Sequence, residues 1–251
     1  MQDYEARDNI LAGRVLLITG AGAGIGRVAA RTAAAHGASV VLLGRSLDSL
    51  EPVYDEIVAA GHPTPAILAL DLGMAGPHEY RQVADVIENT FGRLDGVLHN
   101  AALLGDIMPL ESYDPDTWDL VMKVNLRAPF LLTQALLPLL RRSPDASIVM
   151  TSSSVGRRAR AFWGAYAISK CGVEGLVQIL ADELANTSDI RVNAVNPGGT
   201  RTRMRSQAYP GEDPATVKVA ETLMPLYLYL LGPDSAGITG QSFDAPPPRT
   251  A

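Results

Sequence analysis

Two residues four apart, Tyr166 and Lys170 in "YAISK", are of the right types to move a proton. In a helical segment this spacing sets both on one face, about one turn apart. A free phenol titrates near 10, too high for easy proton loss at neutral pH. A lysine charge roughly 4 Å away, at an effective dielectric of about 20, is worth about 4 kcal/mol; that would lower the phenol by up to about three units before burial opposes it. Such a tyrosine can give a proton to a developing alkoxide and take it back in the reverse direction. Alone the pair says little, because Y-x-x-x-K arises by chance on many helices.

A second stretch, "TGAGAGIG" from Thr19 to Gly26, lies between the apolar run "RVLLI" and the helix-like "RVAARTAAAHG". Glycine inside an element costs roughly 0.5–1 kcal/mol relative to alanine, so a cluster at an element junction marks backbone that other residues cannot adopt. A glycine turn between strand and helix lets backbone N–H groups and the helix N-terminus approach a pyrophosphate; a tight turn with close packing is the plainer reading. The next apolar run ends "VVLLGRS", where dinucleotide sites place an acid for the adenosine ribose. Here Gly44, Arg45 and Ser46 stand instead. A carboxylate would repel a 2′-phosphate and a guanidinium matches it, so NADP(H) is favoured over NAD(H).

The elements that must position these residues are legible as alternating patterns. Apolar runs at 15–19, 39–43, 66–70, 95–99, 147–151 and 191–195 alternate with helix-spaced segments at 25–36, 47–60, 77–91, 116–141 and 165–186. Strands apolar on nearly every residue are buried on both faces, and alternation with helices implies parallel crossovers. The expected fold is therefore α/β: a single-domain, Rossmann-type doubly wound parallel sheet of about seven strands with helices on both faces. Its 251 residues suit one domain, with 1–12 as an N-terminal arm, 203–219 as a mobile substrate loop and 244–251 as a Pro-rich tail.

The order and spacing of further motifs then extend the pattern: "DL" (71–72), "HNAA" (99–102), Asn125, "TSSS" (151–154), "YAISK" (166–170) and "NPGGTRT" (196–202). With the turn T-G-x-x-x-G-x-G they resemble the short-chain dehydrogenase/reductase family over nearly the whole chain. Within it, "LDGVLHNA", "TSSSVGR" and "MPLYLYL" are similar to the bacterial YciK-type oxidoreductases.

The resemblance implies hydride transfer between nicotinamide and a small-molecule carbonyl or alcohol. It makes Tyr166 the general acid/base, and Lys170 its activator and a ligand of the nicotinamide ribose. Ser153 becomes the donor that positions the substrate oxygen, and Asn125 the holder of a water leading from Lys170 to solvent. It places Thr19, Gly20, Gly24, Ile25 and Gly26 at the pyrophosphate, with Asp71 at the adenine amine, Leu72 on its ring and Asn100 and Ala101 beside the dinucleotide. Pro197, Gly198 and Thr200 fall against the nicotinamide, and Thr202 near the carboxamide or pyrophosphate. Residues 101–110, 155–163 and 203–225 are expected to line the substrate pocket, with Trp163 as a wall. The family's interface helices match "PFLLTQALLPLLRR" and 165–186, which implies a homodimer or homotetramer.

Other classes are set aside. A net charge of −6 disfavours nucleic acid or anionic membrane as the main partner. No uninterrupted apolar run approaches a membrane span, and the polar, acidic start does not read as a secretory signal, so a cytoplasmic protein is expected. One cysteine, Cys171, and four scattered histidines provide no metal set, and none is expected. The basic run "GRRAR" (156–160) is either solvated or a preference for anionic substrates. The alternative function is an NADP(H)-binding sensor or scaffold with little turnover. An intact Asn, Ser, Tyr, Lys set argues against it.

Overall fold

The computed structural model of the chain describes residues 4–245. One seven-stranded sheet, wholly parallel, runs in the order β3-β2-β1-β4-β5-β6-β7. Its strands are β1 Val15–Thr19, β2 Ser39–Gly44, β3 Ala66–Ala69, β4 Gly96–His99, β5 Ser147–Thr151, β6 Arg191–Asn196 and β7 Ser242–Asp244. Successive side chains point to opposite faces, and both faces are covered. Val15 and Leu17 enter one core with Val97, Ile148 and Ala194. Leu16 and Ile18 enter the other with Val40, Leu98 and Val149.

Helices α1 Gly24–Ala35 and α2 Leu47–Ala59 cover one face together with α9 Met224–Leu231. The other face carries α3 Pro77–Phe91, α4 Pro115–Met122, α5 Ala128–Leu140 and α7 Gly164–Leu184. Two short helices, α6 Ser154–Arg157 and α8 Arg203–Ala208, stand at the carboxyl end of the sheet. Crossovers run outward from β1 in one direction and from β4 in the other. The crevice between the carboxyl ends of those two strands is where open parallel sheets bind ligands.

Three sequence expectations change. The helix expected over 116–141 is interrupted by a π-turn, Lys123–Arg127, that contains Asn125. The composite Pro115–Leu140 is long and apolar enough by composition to cross a membrane, with a mean hydropathy of 1.2, yet half of that window is buried in this fold. The N-terminal arm is docked: Ile10 and Leu11 are core residues, and the Leu11 N–H donates to the His36 carbonyl. The expected tail at 244 begins inside β7, where Asp244 accepts from Asn196 and Arg157; positions 246–251 of that tail lie outside the described residues. β7 escaped the sequence reading because "SFD" is short and only its phenylalanine is apolar.

Candidate active site

A cleft of about 740 Å³ opens over the carboxyl ends of the strands, from the glycine turn to α8. Its geometry at the turn explains the glycines individually. Gly20 and Gly24 have φ of +68° and +52°, the left-handed region that favours glycine. A Cβ on Gly26 would overlap the Gly20 carbonyl oxygen and come within 2.7 Å of Asn100 Nδ2, so α1 packs directly on the turn. Behind it, Thr19 Oγ1 accepts the N–H groups of Asn100 and Ala101, each at 3.0 Å, which ties the ends of β1 and β4 together. The result is a concave backbone surface with no side chain filling it, and it fits a pyrophosphate.

At the end of β2, Arg45 lines the cleft beside Gly22, Gly44 and Ser49 and pairs with no carboxylate among the described residues. Arg27, just after Gly26, pairs with Glu56 and does not line the cleft. Asp71 and Leu72 line the same end, the Asp71 Oδ1 accepting the Gly73 N–H at 2.8 Å.

The opposite end holds Ser153, Tyr166 and Lys170. Tyr166 and Lys170 lie in α7, both buried, and Ser153 caps α6 directly after β5. Lys170 Nζ donates to the Thr151 carbonyl at 2.7 Å and sits 5.7 Å from the centre of the Tyr166 ring. The sequence expectation of a lysine-lowered phenol thus meets an opposing effect. Burial pushes Tyr166 up, with the Ser153 hydroxyl acting the other way. Burial brings Lys170 down to about 8, against the pull of Glu174.

Asn125 is not in the cleft wall but one layer behind it. The π-turn widens the helix so that its side chain meets the strand-end loop: Oδ1 accepts the Leu103 N–H at 2.7 Å, and Nδ2 donates to the Leu103 carbonyl and Ser169 Oγ at 2.8 and 3.1 Å. Thr19 and Gly26 likewise stand behind the surface. The other individually assigned catalytic and cofactor-site residues line the cleft: Gly20, Gly24, Ile25, Arg45, Asp71, Leu72, Asn100, Ala101, Ser153, Tyr166, Lys170, Pro197, Gly198, Thr200 and Thr202.

The wall of the substrate end is narrower than the sequence suggested. Residues 101–104 line it, but 105–110 do not; Val155, Arg160 and Trp163 represent the 155–163 stretch. From 203–225 come Arg203, Met204, Arg205, Ala208 and Tyr209. Trp163 lies 5.9 Å from the Tyr166 ring and 6.0 Å from that of Tyr209. Arg205 stacks on Tyr209 at 3.8 Å and forms a two-pronged ion pair with Glu212 at 2.6 and 2.5 Å.

Sequence reasoning did not find Glu174. Buried one turn beyond Lys170, it accepts from Ser152 Oγ at 2.5 Å and Ser242 Oγ at 2.9 Å. The signal was the Lys170 to Glu174 spacing of four, a favourable pairing on a helix. His99 is buried behind the site: its Nε2 lies 2.9 Å from Thr133 Oγ1, and burial drives it down to about 3.

The fold, the glycine turn and the Ser, Tyr, Lys wall together define an oxidoreductase class, and the family comparison agrees: residues 14–213 match the short chain dehydrogenase model, and the chain belongs to that family. Among individual proteins, the chain is 50% identical over 246 residues to the oxidoreductase YciK of Escherichia coli strain K12, covering 98% of this chain and 97% of that one. A short chain dehydrogenase structure from Pseudomonas syringae superposes with a TM-score of 0.95 at 56% identity, covering 97% of this chain and 99% of that one. A short chain dehydrogenase from Escherichia coli CFT073, solved in complex with NADPH, superposes with a TM-score of 0.93 at 50% identity, covering 96% and 100%.

Proposed function

We propose that the protein is an NADP(H)-dependent carbonyl reductase in which Tyr166 is the proton donor. The observation that carries the reading is one continuous cleft with Arg45 at its adenosine end and Ser153, Tyr166 and Lys170 at the other. The similarity to a chain solved with NADPH supports the choice of cofactor.

Gly20, Gly24 and Ile25 would hold the pyrophosphate, Arg45 the 2′-phosphate, Asp71 and Leu72 the adenine, and Pro197 to Thr202 the nicotinamide. Bound there, the nicotinamide supplies a hydride or accepts one. The Ser153 hydroxyl donates to the substrate carbonyl oxygen and fixes its position. As negative charge develops on that oxygen, the Tyr166 phenol gives up its proton to it. Burial keeps the phenol protonated at neutral pH, which suits the reductive direction. Oxidation of an alcohol needs the phenolate, which the same burial opposes. Lys170, held by Thr151 and kept charged by Glu174, stabilises the phenolate left behind. The Asn125 turn fixes the Leu103 wall, and a water there would resupply protons to Lys170. A catalytically idle sensor is not favoured, since binding alone has no use for a buried lysine beside a phenol.

A shallow hollow between the π-turn, α5 and α7, lined by Met122, Leu126, Phe130, Leu176 and Ile179, supports pairing with a second copy. Phe130 and Ile179 are 46% and 57% exposed, large apolar side chains on one face. The reading is thus a cytoplasmic homodimer or homotetramer acting on small carbonyl compounds, with no nucleic-acid or membrane partner.

Fluorescence titration with NADPH and NADH tests the cofactor: Arg45→Ala should weaken NADPH selectively. A carbonyl screen tests the chemistry, where Tyr166→Phe should cost about 10²–10⁴-fold in kcat. Failure to bind either nucleotide, or full turnover by Tyr166→Phe, would overturn the reading.

A further inference from the structure

We propose that the turn from Arg160 to Gly164 is the substrate-recognition element of this cleft, and that the carbonyl compound it admits carries a flat apolar body and a carboxylate held by Arg160. The proposal rests on the reductase reading above and names its substrate class.

The charge balance of the cleft points to an anion. The chain has 27 acidic and 21 basic residues, yet the charged side chains lining the cleft are Arg45, Arg160, Lys170, Arg203 and Arg205 against Asp71 alone. Most of these cations have another task. Arg45 lies at the adenosine end with Asp71, and Lys170 is buried on Thr151. Arg205 is neutralised by Glu212. Arg203, which pairs with no carboxylate among the described residues, follows Thr202, whose Cγ2 would lie 3.3 Å from a Cβ on Gly24, so its backbone starts beside the glycine turn, whereas Arg160 stands in the segment between Ser153 and Tyr166.

Arg160 remains. It lies between Ser153 and Tyr166 in the chain, and its guanidinium has no carboxylate or hydrogen-bond partner among the described residues. Its neighbour Arg157 is taken by Asp244. One free guanidinium presents a planar fork that matches a single carboxylate, and at the mouth of a low-dielectric cleft its field is focused inward.

The backbone shows that this placement is specified. Phe162 has a φ of +72°, an outlier for a bulky residue, and Gly164 one of +30°. A Cβ on Gly164 would come within 2.6 Å of the Tyr113 ring. The bend is held by the Met108 N–H donating to the Phe162 carbonyl at 3.0 Å. Strain of this kind persists where the surroundings enforce it and clusters at ligand sites. Its outcome is that Phe162 faces solvent while Arg160 and Trp163 face the cleft. Trp163 and Tyr209 then form an aromatic wall, completed by Leu104, Val155 and Met204. Such a wall selects a flat apolar body next to the Tyr166 hydroxyl.

The test uses phenyl ketones that carry a carboxylate at graded distances from the carbonyl, each beside its methyl ester. With NADPH, one acid should show a KM at least about tenfold below that of its ester. Arg160→Gln should erase the difference by raising the KM of the acid at least about tenfold more than that of the ester. The same pairs titrated into the NADPH-loaded protein, followed by nucleotide fluorescence, report binding without turnover. Acid-selective binding that depends on Arg160 but gives no turnover would sink the reductase reading and uphold the anchor. Esters bound as well as acids in both readouts, or acid selectivity that survives Arg160→Gln, would overturn the proposal.

Discussion

His99 closes β4 one residue before the cleft wall, and its burial creates a measurable sensitivity to acid. Its ring has Thr133 Oγ1 as a neutral partner, and burial alone drives its folded pKa to about 3. In the unfolded chain an imidazole titrates near 6.5. Between those values the unfolded chain binds a proton that the folded chain refuses, so stability is lost as pH falls below about 6.5. At pH 5 the gap is about 1.5 units at about 1.4 kcal/mol each, or about 2 kcal/mol. That figure depends on the unfolded value and holds for any folded value well below 5. It is a large share of a total stability of about 5–15 kcal/mol. The assay is urea unfolding followed by tryptophan fluorescence at pH 7.5 and 5.0, at one protein concentration, for the natural chain and His99→Gln. Carboxylate titrations are common to both and subtract out. The natural chain should lose about 2 kcal/mol more than the variant between the two pH values; equal losses would refute the reasoning.

Gly26→Ala places a methyl group on the Gly20 carbonyl and Asn100, backbone and side chain that cannot both retreat. It should cost about 1–3 kcal/mol or more, seen as a lower Tm, and weaken NADPH in fluorescence titration. Asn125→Ala removes three hydrogen bonds of a buried side chain and leaves both Leu103 backbone groups short of partners. Denaturant unfolding should show a loss of about 2–4 kcal/mol, and a loss below about 1 kcal/mol would mean that something else holds the π-turn.

Legibility in the sequence followed physical cause. Five of the longer strands declared themselves because burial on both faces demands unbroken apolar runs; β3, a partly buried edge strand, was legible because it is apolar throughout, whereas β7, an edge strand of three residues, carries two polar side chains. The glycine turn was legible because left-handed backbone and close packing admit only one residue type there. Arg45 was legible from its position after β2. The π-turn at Asn125 was not, since one extra residue in a helical turn leaves the apolar spacing of 116–141 almost unchanged. Helix spacing gave the proximity of Tyr166 to Lys170 but not the depth of the phenol, and burial is what pushes it up. Glu174 fell outside the reading because its partners Ser152 and Ser242 are distant in sequence and meet only once β6 and β7 are paired.

That last contact bears on the order in which the site is made during synthesis. Asp244 secures Arg157 from 87 positions away, and Ser242 secures Glu174 from 68. A ribosome finishes the glycine turn and its strands early, but α9, which shares a core with α1 and β1, emerges only shortly before β7. The segment flanking Ser153 settles only when that last described strand docks. The core beneath the glycine turn and the support of the Ser153 segment are therefore both completed by the last described elements of the chain.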